Sequence, residues 1–264
     1  IINKITVDHL DYHKTKSEYR RVKLEFAKDK AEKIYTFYGY REIKKLDNAI
    51  VFSKKVKDYY GNLYSSDFIY NHKRFALYWP FKYNVENFLI CYNALLTEGF
   101  KEEKIRLNMM NIPIIPGRME MVKPGENVFI DYAHTYPALN SLLKSVAKLR
   151  KYRIIAICGA GGNRDKSKRK MYRKSLAKYA SKVIITDDNP RNEDEEEILN
   201  ELKGKEHFIV IKDRKEAIEE GVKLYKSTSS SVLIIIGKGD EDYQIIKGKT
   251  FRFSDREEAI RCLS

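Results

Sequence analysis

Cysteine is scarce in these 264 residues: Cys91, Cys158 and Cys262 stand far apart, with no CxxC pair. That scatter excludes a disulfide framework and a cysteine-held metal site, and it fits a reducing cytosol. No apolar run approaches the roughly 18 residues of a membrane span, and nothing near Ile1 reads as a signal peptide. Five scattered histidines are too few to suggest a Ser–His–Asp or Cys–His catalytic set. Disorder is excluded as well. With 43% hydrophobic and 12% aromatic residues the chain can bury the core of one large or two ordinary domains.

What is present in excess is positive charge: 51 Lys and Arg against 37 Asp and Glu, a net +14. That balance suits an anionic partner, whether nucleic acid, membrane surface or a phosphorylated small molecule, or else a plain solvated basic surface.

The second half carries the clearer pattern. Runs rich in Val and Ile recur at 127–133, 153–162, 182–189, 207–213 and 231–239, with helical stretches at 137–151, 166–180, 193–204 and 214–227 between them. Short, nearly continuous apolar strands alternating with helices predict a doubly wound, mostly parallel sheet buried on both faces. Ser254 and Glu257 have capping-box spacing for a last helix. The first half is less regular. A polar helical stretch (11–30), strand-like pieces at 33–40, 48–56 and 74–81, and a helix over 84–100 ending at Gly99 lead into "NIPIIPGRME", which reads as a linker. The expected division is therefore 1–115 and 116–264.

Ligands of such sheets collect at the strand carboxyl ends. Here those ends read "DYAHT" (131–135), "GAGGNRD" (159–165), "TDDNPR" (186–191) and "GKGDED" (237–242), a polar, glycine-rich edge that is either a binding rim or ordinary strand-to-helix turns. No complete nucleotide loop is present. "GAGGNR" has Arg164 where the last glycine of a dinucleotide fingerprint belongs. "KGKT" (247–250) has Tyr243 where a P-loop needs its first glycine, so a β-hairpin is the better reading. In "DHLDYHKT", His9 and His13 are four apart and Asp8 and Asp11 three apart, a spacing that suits either a hard cation or a solvated helix face.

Taken in order, "DHLDYHKT", "PGRME", "DYAHTYPAL", "TDDNPR" and "GKGDEDYQII" make the chain resemble a Mur ligase, from about residue 3 to the C-terminus. It most resembles the branch that adds a diamino acid to peptidoglycan precursors. The resemblance implies a Rossmann-like C-terminal domain preceded by the C-terminal part of the α/β central (ATPase) domain. It implies a ligase in which ATP phosphorylates a carboxylate of UDP-N-acetylmuramoyl-L-Ala-D-Glu and an amine attacks the acyl phosphate, with Mg2+ neutralising charge. On these residues it places His9 as a magnesium ligand and Lys23, 14 positions on, as a carbamylated lysine that positions the metal. Asn87, Arg118 and Asp131 fall where the family contacts ATP, Arg118 near the transferred phosphate. The "DNPR" segment receives the free amino acid: Arg191 and Arg164 clamp its distal carboxylate, Asp188 and Asn189 orient its polar groups, and Pro190 lies in the same substrate-binding segment. Gly237 and Glu241 complete the pocket, with Glu241 drawing the distal ammonium. A lysine substrate would leave Arg191 without its partner, so diaminopimelate, or an analogue such as lanthionine, is favoured.

The departures set further expectations. Relatives carry a uridine-binding domain and a GKT phosphate loop ahead of "ITVDHLDYH"; the 264 residues contain neither and are expected to have no ligase activity alone, as a fragment or split gene product. Asp240 stands where relatives usually have histidine. A cytoplasmic monomer acting on small molecules, without nucleic acid or membrane, is expected. The rivals are a noncatalytic remnant, a basic nucleic-acid-binding module that +14 favours but no helix-turn-helix or aromatic-basic repeat supports, and a sister ligase, against which "DNPR" argues.

Overall fold

A computed structural model describes residues 1–6, 12–38, 40–109 and 111–264. The chain divides into two compact units, Ile1–Ile114 and Ile115–Ser264. Among the described residues no helix is long and apolar enough to cross a membrane.

In the first unit, α1 (Lys16–Lys30) begins where Thr15 accepts a hydrogen bond from the Glu18 N–H, and it buries Leu24 and Ala27, three apart on one face. These pack with Ile34 and Ile43. The first belongs to β1 (Ile34–Thr36), which pairs in parallel with β2 (Ala49–Val51), and the second to the short α2 (Arg41–Lys44). An antiparallel meander follows: β3 (Lys57–Gly61), β4 (Ser66–Tyr70) and β5 (Lys73–Leu77). Along β4 alternate residues Ser66, Phe68 and Tyr70 are buried, as a strand with one covered face requires. That face packs on α3 (Lys82–Thr97) through Val85, Phe88, Leu89 and Tyr92, and α4 (Glu102–Met109) closes the unit. Gly99, at φ +84, ends α3 in the left-handed region as its sequence position predicts.

The second unit is a six-stranded sheet in the order β10–β9–β8–β11–β7–β6. Its strands are β6 (Glu120–Met121), β7 (Val128–Asp131), β8 (Arg153–Cys158), β9 (Lys182–Ile185), β10 (Ile209–Val210) and β11 (Ser231–Ile236). All pairings are parallel except β6 with β7. The helices are α5 (Tyr136–Ala147), α6 (Ser167–Tyr179), α7 (Glu195–Lys203), α8 (Arg214–Ser227) and α9 (Asp255–Leu263). Alternate residues Ile155, Ile157, Leu233 and Ile235 meet α8 and α9 through Ala217, Ile218, Val222 and Ala259. Their strand neighbours Ile154, Ala156, Val232 and Ile234 are equally buried and point to the opposite face, so both faces are covered. The mostly parallel, doubly wound sheet is thus as expected. One strand differs: both residues of β10 are exposed, because it is a two-residue edge strand with a neighbour on one side only. The "KGKT" stretch turns a hairpin between β12 (Tyr243–Ile246) and β13 (Lys249–Arg252), with Lys247 and Gly248 both at positive φ.

Candidate functional site

β8, β9 and β11 stop in register, Cys158 beside Ile185 and Ile236, so the loops after them open at one level of the rim. The loops are stitched to each other more than to solvent. Gly162 N–H donates to the Asn189 carbonyl (2.9 Å), Asn192 N–H to the Asn163 side chain (3.1 Å), and Asn163 N–H to Glu193 (2.8 Å). A Cβ on Gly162 would lie 1.9 Å from the Pro190 carbonyl oxygen, so only glycine lets the 159–165 loop approach the 186–191 loop this closely.

Asn189 is the hub. Its side-chain nitrogen donates to Glu241 Oε2 (2.9 Å), and its side-chain Oδ1 accepts the Ile245 N–H (2.8 Å), which joins the end of β9 to the loop after β11 and to the hairpin. Glu241 Oε2 also receives the Lys238 ammonium at 3.3 Å. Lys238 is completely buried and donates a second, short bond to the Tyr243 carbonyl. Asp188 is buried beside Gly237; that glycine has φ +122, and a Cβ there would stand 2.6 Å from Asp188 Oδ2. Backbone conformation and close approach both demand glycine at 237.

Arg191 holds a left-handed backbone, φ 56. It persists because its N–H donates to the Ile245 carbonyl (3.0 Å) and its own carbonyl accepts the Lys247 N–H (2.6 Å), a clamp on both sides of a strained residue. Its Nη1 donates to the carbonyls of Gly162 (3.0 Å) and Asn189 (3.3 Å). Nη1 of Arg191 and Cγ of Arg164 lie 2.9 and 3.9 Å from where a Gly161 Cβ would stand, so both arginines border the same glycine. Arg164, Asp188, Asn189, Pro190, Arg191, Gly237 and Glu241 are therefore gathered on one stretch of rim.

A second group sits by the end of β7. Asp131 is 8% exposed, and its two oxygens accept the N–H groups of Met119 (2.8 Å) and Ala133 (2.9 Å). Burial raises its carboxyl to about 6, against the opposing pull of those two bonds and of Arg118. Arg118 is exposed and lies over the Tyr132 ring, 4.6 Å from its centre. The Gly117 backbone abuts Gly239 and Asp240, where a Cβ would come within 2.4 Å of the Asp240 nitrogen. The "PGRM", "DYA" and "GKGD" segments thus interlock. Asp131 is first of all a clamp on the 117–119 turn.

Within the first unit, the exposed Lys23 stands 5.6 Å from the Tyr19 ring centre and lines a cavity of about 420 Å³ together with Asn3. The Asn3 amide donates to the Asn87 side chain at 2.6 Å. His9, Asp8 and Asp11 lie outside the described residues. Among the described residues no three His, Cys, Asp or Glu groups converge as a metal site, and Lys23 as an amine is not a magnesium ligand.

Sequence reasoning missed the residues that hold this rim. Arg169, 1% exposed, pairs with both oxygens of Glu193 (2.8 and 2.8 Å) and with Glu201 (2.7 Å). Glu193 is held down to about 2, chiefly by Arg169, with Asn163 and Lys166 assisting. Arg214, buried under the sheet end, forks onto Asp255 at 2.7 and 2.8 Å and donates to the carbonyls of Asp187 and Ile236. A long basic residue opening an otherwise apolar helix face was the available signal for Arg214; Lys238 was signalled by two flanking glycines.

Residues 117–239 match the family model described as Mur ligase, glutamate ligase domain. UDP-N-acetylmuramoyl-L-alanyl-D-glutamate–2,6-diaminopimelate ligases are similar to this chain. That of Clostridium tetani is 32% identical over 97% of this chain and 57% of its own length, and that of Bacillus cereus is 34% identical over 100% and 59%. A solved structure of a ligase with that name superposes with TM-score 0.58 at 27% identity, covering 98% of this chain and 58% of that one. The UDP-N-acetylmuramate–alanine ligase of Thermotoga maritima shares the fold, with TM-score 0.65 at 16% identity, 97% of this chain and 56% of its own. The chain spans somewhat over half the length of the curated relatives it matches. Rim loops, family model and fold agree: residues 117–239 form a Mur ligase C-terminal domain.

Proposed function

We propose that these residues form part of an ATP-dependent amide ligase of peptidoglycan precursor synthesis, the part that receives the amino acid, and that the amino acid is diaminopimelate or a close analogue such as lanthionine. One observation carries the reading: Asn189 ties Glu241 to the end of β9 while Arg191 and Arg164 border Gly161 on the same rim. Two arginines and a carboxylate on one stretch of rim suit a side chain that ends in both carboxylate and ammonium. The names of the relatives, which include 2,6-diaminopimelate, support that choice. Because Lys238 neutralises part of Glu241, the remaining attraction for the ammonium comes from Asp188 and Asp240 beside it.

Arg118 would meet the phosphates of ATP, where its planar fork matches paired oxygens. Asp131 has one lone pair left on each oxygen after its backbone bonds, which suits ribose hydroxyls. Asn87 is assigned to ATP and Lys23 to its Mg2+, Lys23 only after carbamylation turns its amine into an oxygen donor; His9 is the proposed histidine ligand. Mg2+ when bound supplies charge neutralisation for the phosphate transfer.

The test is thermal unfolding of the 264-residue chain with meso-diaminopimelate and with lysine. A ligand selective for the folded state raises the midpoint, here for diaminopimelate alone, with the rise abolished in Arg191→Ala. Equal responses to both amino acids, or a rise that survives Arg191→Ala, would overturn the assignment.

A further inference from the structure

Asp187 precedes the proposed amino-acid pocket by one residue but faces elsewhere. It is 5% exposed, and its Oδ1 has no hydrogen-bond partner among the described residues, in a region where nearly every other buried polar group is paired. Its backbone is well held: the N–H donates to the Lys212 carbonyl (3.2 Å) and its carbonyl accepts from Arg214 (3.1 Å). The position is imposed by the sheet, and the carboxyl is left to find its own partner.

That carboxyl lines a cavity of about 560 Å³ between the ends of β9 and β10, the start of α8 and the hairpin strand β12. The cavity is acidic, with Asp187, Glu195, Asp213 and Glu216 against Lys212 and Arg214, four carboxylates to two cations. Both cations are already committed, Lys212 to Glu195 by a short contact and Arg214 to Asp255. Nor does the start of α8 ask for an anion, since Asp213 caps it through the Glu216 N–H at 2.9 Å. Burial, and then the negative charge of Glu195, push Asp187 to about 7, with Lys212, Glu196 and Arg214 the other charges in reach.

We infer that this cavity is a binding site for a primary alkylammonium group, seated against Asp187 with its carbon chain along the apolar wall. An ammonium brings three donors and one positive charge, which the under-bonded Asp187 carboxyl and the surplus acid call for. A metal ion is disfavoured by the donors, since among the described residues no three carboxylate, imidazole or thiolate groups converge. Val210, Ile211 and Ile246 supply the apolar wall, and Gln244 one further polar group. The site is separate from the Arg164–Arg191–Glu241 pocket and does not rest on its assignment.

The probe is 1,5-diaminopentane, titrated calorimetrically into the 264-residue chain at pH 8. On a protein of net +14 diffuse attraction for a dication is weak, so saturable binding reports a specific site. Saturable binding that weakens at least tenfold in Asp187→Asn and in Glu216→Gln, yet persists in Arg191→Ala, is expected. A melting curve of each variant confirms folding. Absence of saturable binding, binding unchanged in both acid variants, or binding lost in Arg191→Ala would each overturn the inference, the last by placing the amine in the amino-acid pocket.

Discussion

Two buried charges sit side by side beneath the rim and are treated in opposite ways. Arg214 and Asp255 are 1% and 0% exposed; all three guanidinium nitrogens donate, and both carboxylate oxygens accept. Asp187, whose carbonyl is one of Arg214's acceptors, has a carboxyl with an oxygen that accepts nothing among the described residues. The ion pair binds α8, α9 and the ends of β9 and β11 into one block, so its position is set by what it joins. Among the described residues no hydrogen bond runs from the Asp187 side chain to another element. The difference teaches that charge is buried at this edge for two purposes, to lock the strand ends and to leave one acid facing a cavity.

Removing one member of the locked pair gives the largest expected effect. Asp255→Ala strands a buried guanidinium and is expected to cost about 3–5 kcal/mol, read from urea unfolding of the chain. Replacing both members with apolar residues (Arg214→Met with Asp255→Leu) should recover much of that, because no unpaired charge remains. A double variant as unstable as the single one would contradict this account.

Glu193 is the intermediate case: a carboxylate at 8% side-chain exposure, paired with the buried Arg169 and receiving the Asn163 N–H. Glu193→Gln keeps the shape but weakens the pair, for an expected loss of about 2–3 kcal/mol at pH 7. Its folded value of about 2 lies below the unfolded carboxyl range, so its contribution is present above about 4 and lost as pH falls toward 2. The variant and parent should therefore converge in stability near pH 2. Since Glu193 also fixes the 159–165 loop that carries Arg164, diaminopimelate affinity should fall in step.

Asp187 should behave with the opposite sign. Its folded value near 7 lies above the unfolded one, so the carboxyl favours the folded state at low pH and that contribution disappears as pH rises through 7. Asp187→Asn is expected to leave stability unchanged near pH 4 and to raise it by about 1–2 kcal/mol at pH 8, the modest end for relieving a desolvated charge. Differential scanning calorimetry at the two pH values decides it. A destabilising effect at pH 8 would mean that Asp187 has a partner after all.

The same contrast between locked and open positions explains what the sequence disclosed. Strands β7, β8, β9 and β11 announced themselves because burial on both faces forces unbroken runs of Val and Ile. β3 and β4 escaped notice: β3 is exposed along most of its length with a register shift between Lys57 and Tyr60, so its residues follow no period. Helix α4 buries no residue completely, and it too left no stripe to read. At the rim, Arg164, Asp188, Asn189, Arg191 and Glu241 could be found through a recognisable motif. Arg169 with Glu193 and Arg214 with Asp255 belong to no motif, because each pair is brought together from segments that are not adjacent in sequence; Arg214 and Lys238 gave only the local signals of an apolar helix face and flanking glycines. Asp187 was visible only as the neighbour of Asp188; that its side chain takes the other direction is decided by the pleat at a strand end.

The smallest effect tests the hairpin that clamps this rim. Lys247 and Gly248 both have positive φ, 49 and 73, the geometry of a type I′ turn, in which Asn followed by Gly is the preferred pair. Lysine bears this conformation at a small penalty, and Lys247→Asn should stabilise the chain by a few tenths of a kcal/mol without altering either buried charge. Because the Lys247 N–H holds the Arg191 carbonyl and the Ile245 N–H holds Asn189, a firmer turn should tighten diaminopimelate binding slightly while leaving 1,5-diaminopentane affinity nearly constant. Equal tightening of both ligands would show that the hairpin governs the two sites together, since β12 contributes Gln244 and Ile246 to the wall of the second.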